Sequence, residues 1–346
     1  MKVLFYGGTR FVGKALVSRL LTKGHEIFVF TRGNLPVPKN ITHLKGDRSN
    51  DEDLKKLSDH SFDLIVDSSG RKLEDTQRLL KFSGLPSYRF IYISSAGVYD
   101  NTQLYPVGED SPIDLESRHI GKAKTESWLK AEGIPFTSFR PTYIYGPGNY
   151  NPIEKWFFDR ITNGRFIPIP LDGQTITQLG HVSDLAEAIS KSLETDKAIN
   201  QIYNCSGSKA VTFKGLIETA ILATGNKVTD FNLRSFDPSK LDLKARKFFP
   251  LRLTNFFTDT SKIKKDLSKK DQDRKKIAKD ISEKINNKTF EIKKLSTENK
   301  ELYGSVKPTE ISKLLNTLEN VEVNSSIIQP IKELKSLGKF KVTINL

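Results

Sequence analysis

The sequence predicts an α/β protein: a doubly wound parallel sheet with a small lobe, followed by a charged helix and a small α+β unit. Three observations predict it. Strand-like apolar runs alternate with helical patterns from residue 1 to about residue 145. A glycine-rich turn, Gly7 to Gly13, joins the first strand to the first helix. After Leu267 the composition shifts abruptly to an almost wholly charged stretch, and a second pattern of elements follows it.

Taken in order, Met1 to Tyr6 is a short apolar strand running into GGTRFVG, and Phe11, Val12, Ala15, Leu16 and Leu20 mark a helix directly behind it. Strands are expected at 2–6, 25–30, 41–45, 62–66, 88–93 and 135–139. From about 146 to 260 the pattern loosens, with Pro and Gly punctuating GRFIPIPLDGQ (Gly164 to Gln174); this stretch is expected to form a small lobe over the carboxyl ends of the strands. Ser268 to Lys288 carries Ile277, Ile281 and Ile285 as one thin stripe at four-residue spacing. That predicts an exposed connecting helix, with Ser268 and Asp271 placed as an N-cap pair. A solvated helix that binds nothing is the plainer reading of its charge. Thr289 to Leu295 reads as a strand, and Ile311, Leu314, Leu315 and Leu318 as a helix face, with Pro308 suited to the first turn. FKVTINL alternates, placing Phe340, Val342, Ile344 and Leu346 inward and Lys341, Thr343 and Asn345 outward. The expected division is 1–267, 268–288 and 289–346.

The 346 residues suit two domains, and 55 Lys+Arg against 41 Asp+Glu leave a net charge of +14. Such a balance favours polyanionic partners, RNA first, because Lys and Arg release counterions from phosphate chains. Charge alone is equally met by a basic protein that binds no nucleic acid. The single cysteine excludes an intramolecular disulfide framework and a cysteine metal cage. Cys205, in YNCSG after a strand-like stretch, reads as a packed small residue rather than a nucleophile. No apolar run approaches ~18 residues, so no membrane span is expected. The first strand begins at Met1, which leaves no room for a signal peptide, and a soluble cytoplasmic protein is expected. Oligomeric state is not legible.

The glycine-rich turn follows a strand and opens a helix, the context in which backbone amides meet a pyrophosphate on a helix N-terminus. Gly7, Gly8, Arg10, Phe11, Val12 and Gly13 are its candidate cofactor-binding residues. The second strand ends at Arg32 with no acid beside it, which favours the 2′-phosphate of NADP over the ribose diol of NAD. Asp47, in KGDR, offers a carboxylate to an adenine amino group. Arg10 stands where G-x-x-G-x-x-G has its middle glycine. Its guanidinium can pair with phosphate or fill the space that phosphate needs.

Four motifs carry a family resemblance: GGTRFVG, SSAGVY within Tyr92 to Tyr99, RPTYIYGPGNY (Arg140 to Tyr150) and QLGHVSDLAEAI (Gln178 to Ile189). Together they resemble extended short-chain dehydrogenases/reductases of the NAD-dependent epimerase/dehydratase kind, which implies a Rossmann-type fold. The glycine-to-arginine change, GRFIPIP and SRHIGKAKTE (Ser117 to Glu126) more narrowly resemble the chloroplast stem-loop-binding protein family. That resemblance covers about 1–267 and implies RNA binding and endonucleolytic RNA cleavage. In the epimerase pattern a tyrosine is the proton donor and acceptor, a lysine one helical turn on lowers its pKa, and a Ser or Thr orients substrate. Ser95 and Lys122 match the supporting positions, but Arg118 stands where the tyrosine is expected. A guanidinium stays protonated and offers no basic lone pair. His119 has a suitable pKa but lies one residue, about 100°, round the helix. For RNA cleavage His119, His181, Asp184 and Asp47 are available, and a divalent metal is implied only by that activity. No spacing singles out a nuclease centre or a metal site, and His181 reads as a core histidine.

FEIKKLSTENKELYGSVKPTEISKLL and PIKELKSLGKFKVTINL resemble the C-terminal domain of the ninth bacterial large-subunit ribosomal protein, and the charged helix resembles its connecting helix. The N-terminal rRNA anchor of that protein is missing, and the join near 267–268 reads as a fusion. These resemblances imply structured RNA, ribosomal RNA or the ribosome as partners. The first reading is an RNA- or ribosome-associated binding protein with residual RNA cleavage. The alternatives are an NADP-dependent nucleotide-sugar epimerase, dehydratase or reductase, and an inactive fused scaffold.

Overall fold

A computed structural model describes residues 1–241, 248–321, 323–329 and 334–344, without the side chains of 268–277 and 326. Contacts divide the chain into two units, Met1–Leu267 and Ser268–Leu346. The first unit opens with β1 (Lys2–Tyr6), α1 (Phe11–Thr22), β2 (Glu26–Thr31), β3 (Thr42–Lys45), α2 (Asp51–Leu54), β4 (Leu64–Asp67), α3 (Leu73–Ser83), β5 (Arg89–Ile93), α4 (Ile120–Ala131) and β6 (Phe136–Pro141). It continues through β7 (Tyr143–Tyr145), α5 (Ile153–Thr162), β8 (Ile167–Pro170), β9 (Ile176–Thr177), β10 (Leu179–His181), α6 (Val182–Ser192), β11 (Gln201–Cys205), β12 (Val211–Thr212), α7 (Phe213–Ala223) and β13 (Leu233–Phe236).

Seven strands form one parallel sheet in the order β11-β6-β5-β4-β1-β2-β3. The order reverses at β1, where an open α/β sheet leaves a crevice at its carboxyl edge. Burial on both faces explains why these strands read as apolar runs. Their period of two sorts the side chains: Val3, Phe5, Ile27, Val29, Leu64 and Val66 pack on one face with α1 and α6. Leu4, Tyr6, Phe28, Phe30, Ile65 and Tyr92 pack on the other with Leu79 of α3 and Leu129 of α4. Each such fully buried side chain contributes roughly 1.5–3 kcal/mol of transfer free energy. The stretch expected to be all lobe returns to the main sheet at α6 and β11. The lobe itself has a separate core, Phe157, Ile161, Ile167, Phe213, Ile217 and Phe249 among its members.

Helix α8 spans Ser261–Ile285. This corrects the expected start at Ser268: Asp259 accepts from the Ser261 amide at 2.8 Å, and Ile263 and Leu267 are buried in the sheet core. Ser268 and Asp271 therefore lie inside the helix, and their side chains, with that of Ile277, are outside the described ones.

The second unit contains β14 (Glu301–Val306), α9 (Pro308–Glu319), β15 (Ile328–Gln329), β16 (Leu334–Ser336) and β17 (Thr343–Ile344). Its core of Leu315, Val321, Val323 and Ile328 is flanked by Ile281, Ile285, Phe290, Ile311 and Ile344. Pro308 takes the first helical turn as expected. Three expectations are corrected. Residues 289–295 form no strand, and the strand is β14 instead. Leu318 is 58% exposed and Phe340 46% exposed, so neither faces the core. Asn345 and Leu346 lie outside the described residues.

Candidate functional site

The turn after β1 is built as a phosphate cradle requires. Gly7 and Gly8 have φ of 110° and 93°, in the region that L side chains avoid. A Cβ on Gly13 would lie 2.6 Å from the Gly8 Cα, so that glycine lets α1 close onto the turn. Arg10 sits at the N-cap with an extended backbone (φ −128°), a conformation open to any residue, and its exposed side chain makes no cap hydrogen bond. The turn thus forms without the middle glycine. Val12 is buried in the core behind it. Phe11 carries strain at φ 40°, and the exposed Tyr150 of the GPGNY loop meets its ring edge-on at 6.3 Å.

Arg32 is exposed beyond β2 and close enough to Asp47 to help lower that carboxyl's pKa. The larger cause is Ser49, whose hydroxyl and amide donate to Asp47 Oδ1 at 2.6 and 2.9 Å. Asp47 is already partly engaged where an adenine amino group was expected to meet it. Arg48, unremarked in the sequence, spans the strand ends: it donates to Ser69 Oγ at 2.6 Å, pairs with buried Asp67 at 3.6 Å and lies over the Tyr6 ring.

The expected reaction centre departs from the sequence reading in one respect. Helix α4 begins at Ile120, so Arg118 and His119 occupy the turn before it and do not share a helix face with Lys122. Exposed Arg118 donates from Nε to His119 Nε2 at 3.0 Å. Burial pushes His119 down to about 4, and Arg118, Lys122, Arg252 and Arg71 all act in the same direction. At neutral pH His119 is therefore an uncharged acceptor among four cations. Gly97 makes room for it: a Cβ there would lie 2.6 Å from the His119 ring and 3.1 Å from Ser95 Oγ. Ser95 caps a short turn, accepting from the Gly97 amide at 3.0 Å.

Lys122 is half-buried, and its ammonium donates to the carbonyls of Gly70 at 2.9 Å and Ile93 at 2.5 Å. Burial lowers its pKa to about 8, against the opposing pull of Asp67 and Glu126. Neither neighbouring tyrosine replaces the absent phenol. Tyr92 donates to the Gly70 carbonyl, while Tyr99 is buried, donates to Asn204 Oδ1 at 2.7 Å and is pushed up to about 12 by burial. Arg252 arrives from far along the chain and, with Tyr99, Asp100, Asn101, Asp114 and Thr254, lines a polar cleft of about 230 Å³. Its position, like that of Arg71, depends on chain folding and leaves no signal in local spacing.

His181 caps α6, its Nδ1 accepting from the Ser183 amide at 3.3 Å, and packs edge-on against Tyr145. Burial pushes the Cys205 thiol up to about 12, as befits a packed cysteine rather than a nucleophile. Among the described residues no group of three or more His, Cys, Asp or Glu side chains is placed to hold a metal ion, and no helix is long and apolar enough to cross a membrane.

One titration follows from this geometry. His119 is expected to titrate with a midpoint near 4 when its ring protons are followed by NMR. Because that lies below the unfolded value of ~6.5, unfolding takes up a proton between the two. Stability falls as pH drops through that window, and His119→Asn removes this part of the fall. A midpoint above ~6 contradicts the buried, cation-ringed placement.

Residues 3–206 match the NAD dependent epimerase/dehydratase family. The chain belongs to that family. The chain is 42% identical to the chloroplast stem-loop binding protein of 41 kDa b from Arabidopsis thaliana over 280 residues, 76% of this chain and 73% of the relative. A solved UDP-glucose 4-epimerase from Thermotoga maritima, with UDP-glucose, superposes with a TM-score of 0.64 at 20% identity, over 78% of this chain and 93% of that one. At that identity the likeness is one of fold. Residues 276–346 match the ribosomal protein L9 C-terminal domain. Over 88 residues, 25% of this chain, the protein is 65% identical to large ribosomal subunit protein bL9 from Pelagibacter ubique, and it spans 58% of that relative's length. Both resemblances read from the motifs are thus found over 280 and 88 aligned residues.

Proposed function

We propose that this protein binds structured RNA, in association with the ribosome, through an epimerase-type NAD(P)-binding fold whose redox centre has been lost. The observation that carries the reading is Arg118: a permanently charged side chain stands in place of the phenol and donates to a neutral His119, with Arg71, Lys122 and Arg252 nearby. Cations around an uncharged acceptor suit a phosphodiester better than a sugar hydroxyl awaiting hydride removal. The similarities to a stem-loop binding protein and to bL9 support the same partner class. An electrophoretic shift assay with a structured RNA tests it; an unshifted RNA at low salt sinks it.

Residual RNA cleavage is the finer part of this reading. With Arg118 turned from His119 onto the phosphoryl oxygens beside Arg252, the freed His119 Nε2 would take the proton from a ribose 2′-hydroxyl as that oxygen attacks phosphorus, and the 5′-oxygen would leave with a proton from water. The products are a 2′,3′-cyclic phosphate and a 5′-hydroxyl. A base with a pKa near 4 makes this slow. Cleavage that vanishes with EDTA and leaves 5′-phosphate ends indicates a divalent metal instead.

The second reading, an NADP-dependent nucleotide-sugar enzyme, draws on the intact turn at Gly7, Gly8 and Gly13, which fits the pyrophosphate of a dinucleotide. On this reading Arg32 would meet a 2′-phosphate. Calorimetry is expected to show NADP bound at least about tenfold more tightly than NAD, and Arg32→Asp to abolish the difference. Equal affinities for the two dinucleotides would remove Arg32 from the site. The unmodified protein is expected to show no hydride transfer at 340 nm with common nucleotide sugars. Arg118→Tyr recovers at most a trace, because Lys122 is tied to two main-chain carbonyls. Robust turnover by the unmodified protein would make it an enzyme of the second kind, with His119 as its base.

A further inference from the structure

The small lobe carries a second cationic surface. Arg160, in the last turn of α5, stacks its guanidinium 3.7 Å from the centre of the Trp156 ring. Arg165 follows in the connection to β8, its amide bonded to the Arg160 carbonyl at 2.8 Å. The two like charges are close enough for Arg165 to help depress the Arg160 pKa, after burial itself. Phe166, next in sequence, is 42% exposed, and Arg234 of the adjacent β13 lies over its ring at 4.9 Å. Pairing of β8 with β13 fixes this neighbourhood, since Pro168 stands opposite Arg234 and the Ile167 amide bonds the Asn232 carbonyl. Asp159, the acid that acts on Arg160, is itself held by Lys155 at 2.6 Å. None of the three arginines has a carboxylate partner among the described residues.

Three guanidinium groups without a carboxylate ion pair, beside an exposed aromatic ring, match a chain of phosphates that also presents free base faces. A duplex offers the phosphates but hides the faces; an unpaired loop offers both. Resting on the RNA reading above, we propose that Arg160, Arg165, Phe166 and Arg234 hold the single-stranded loop of a folded RNA. Phe166 and the Arg234 plane take a base, and the arginines take the flanking phosphates.

Fluorescence anisotropy of the full chain tests this with three probes: a labelled hairpin with a loop of about eight nucleotides, a blunt duplex with the same number of phosphates, and heparin as competitor. Replacing all three arginines by Gln is expected to weaken hairpin binding at least about tenfold and to flatten the salt slope by roughly two, as loss of three single-strand contacts requires. Phe166→Ala is expected to weaken the hairpin about five- to tenfold while leaving the duplex unchanged, and Phe166→Tyr to restore it. Arg234→Gln alone, at an exposed residue, gives a smaller loss in the same direction and serves if the triple variant misfolds. An unaltered hairpin affinity in the triple variant and in Arg234→Gln overturns this surface and leaves RNA binding standing. Equal losses for hairpin and duplex in Phe166→Ala, or heparin displacing the hairpin as well as unlabelled hairpin does, overturn the loop assignment. A wild-type chain that binds neither RNA overturns both readings together.

Discussion

Binding of structured RNA is expected to weaken by about a thousandfold or more when salt rises from ~50 to ~200 mM, the loss that about six phosphate contacts produce. The net charge of +14 makes such a response plausible, but distribution decides it. The arginines engaged in ion pairs are Arg19, Arg48, Arg78, Arg89 and Arg140. Arg10, Arg32, Arg71, Arg118, Arg160, Arg165, Arg234 and Arg252 have none among the described residues, and all belong to the first unit. Some lysines also sit in ion pairs, Lys55–Glu52, Lys155–Asp159 and Lys288–Glu319 among them, which offset their charge. These eight guanidinium groups, without a carboxylate ion pair, are therefore the arginine capacity open to phosphate. A log–log plot of affinity against salt with a slope shallower than about −2 would mean that few of them meet phosphate. Charge reversals confined to the second unit should leave the slope nearly unchanged; if they abolish binding, the interface lies there instead.

The fold was largely legible because its strands are buried on both faces. KVLFY and RFIYI are continuous apolar runs for that reason, and their positions in the structure fall within a residue or two of expectation. Elements whose burial is partial were harder to see. Strand β14 exposes Tyr303 by 76%, so ELYGSV shows no period, while the more regular-looking run at 289–295 ends in a Leu295 that is 81% exposed. The start of α8 was hidden by composition: the charge-rich stretch begins at 268, but Ile263 and Leu267 already pack one turn apart against the sheet. For the site, the local motifs were visible and their roles were not. Gly7, Gly13, Ser95, Arg118 and Lys122 could be placed by spacing. That His119 accepts from Arg118, that Lys122 is consumed by two carbonyls, and that Arg252 completes the cluster are tertiary facts. Spacing reports which residues share an element, whereas charge state depends on what the rest of the chain brings against them.

The largest stability effect is expected from Glu126. Its carboxylate is 2% exposed in the interior of α4 and is the counterion of Arg140, itself 5% exposed on β6. Arg140 donates to it at 2.7 Å from Nη2 and at 3.2 Å to both oxygens from Nε, and Ser138 Oγ adds a bond at 2.6 Å. Glu126→Ala leaves the guanidinium buried with only the Glu109 carbonyl and the Tyr99 ring against it. Breaking one side of such a pair costs about 3–5 kcal/mol, because the uncompensated charge cannot reach water. Urea unfolding followed by the fluorescence of Trp128, two residues along α4, reads the loss directly. The double variant Glu126→Leu with Arg140→Met is expected to recover most of it, since the desolvation of both ions disappears with them. Recovery of stability without recovery of RNA binding would separate the two roles of Arg140: it also braces Tyr99, which lines the cleft beside Arg252. A loss below about 1 kcal/mol in Glu126→Ala would mean that water reaches Arg140, and that the floor of the candidate site is open rather than packed.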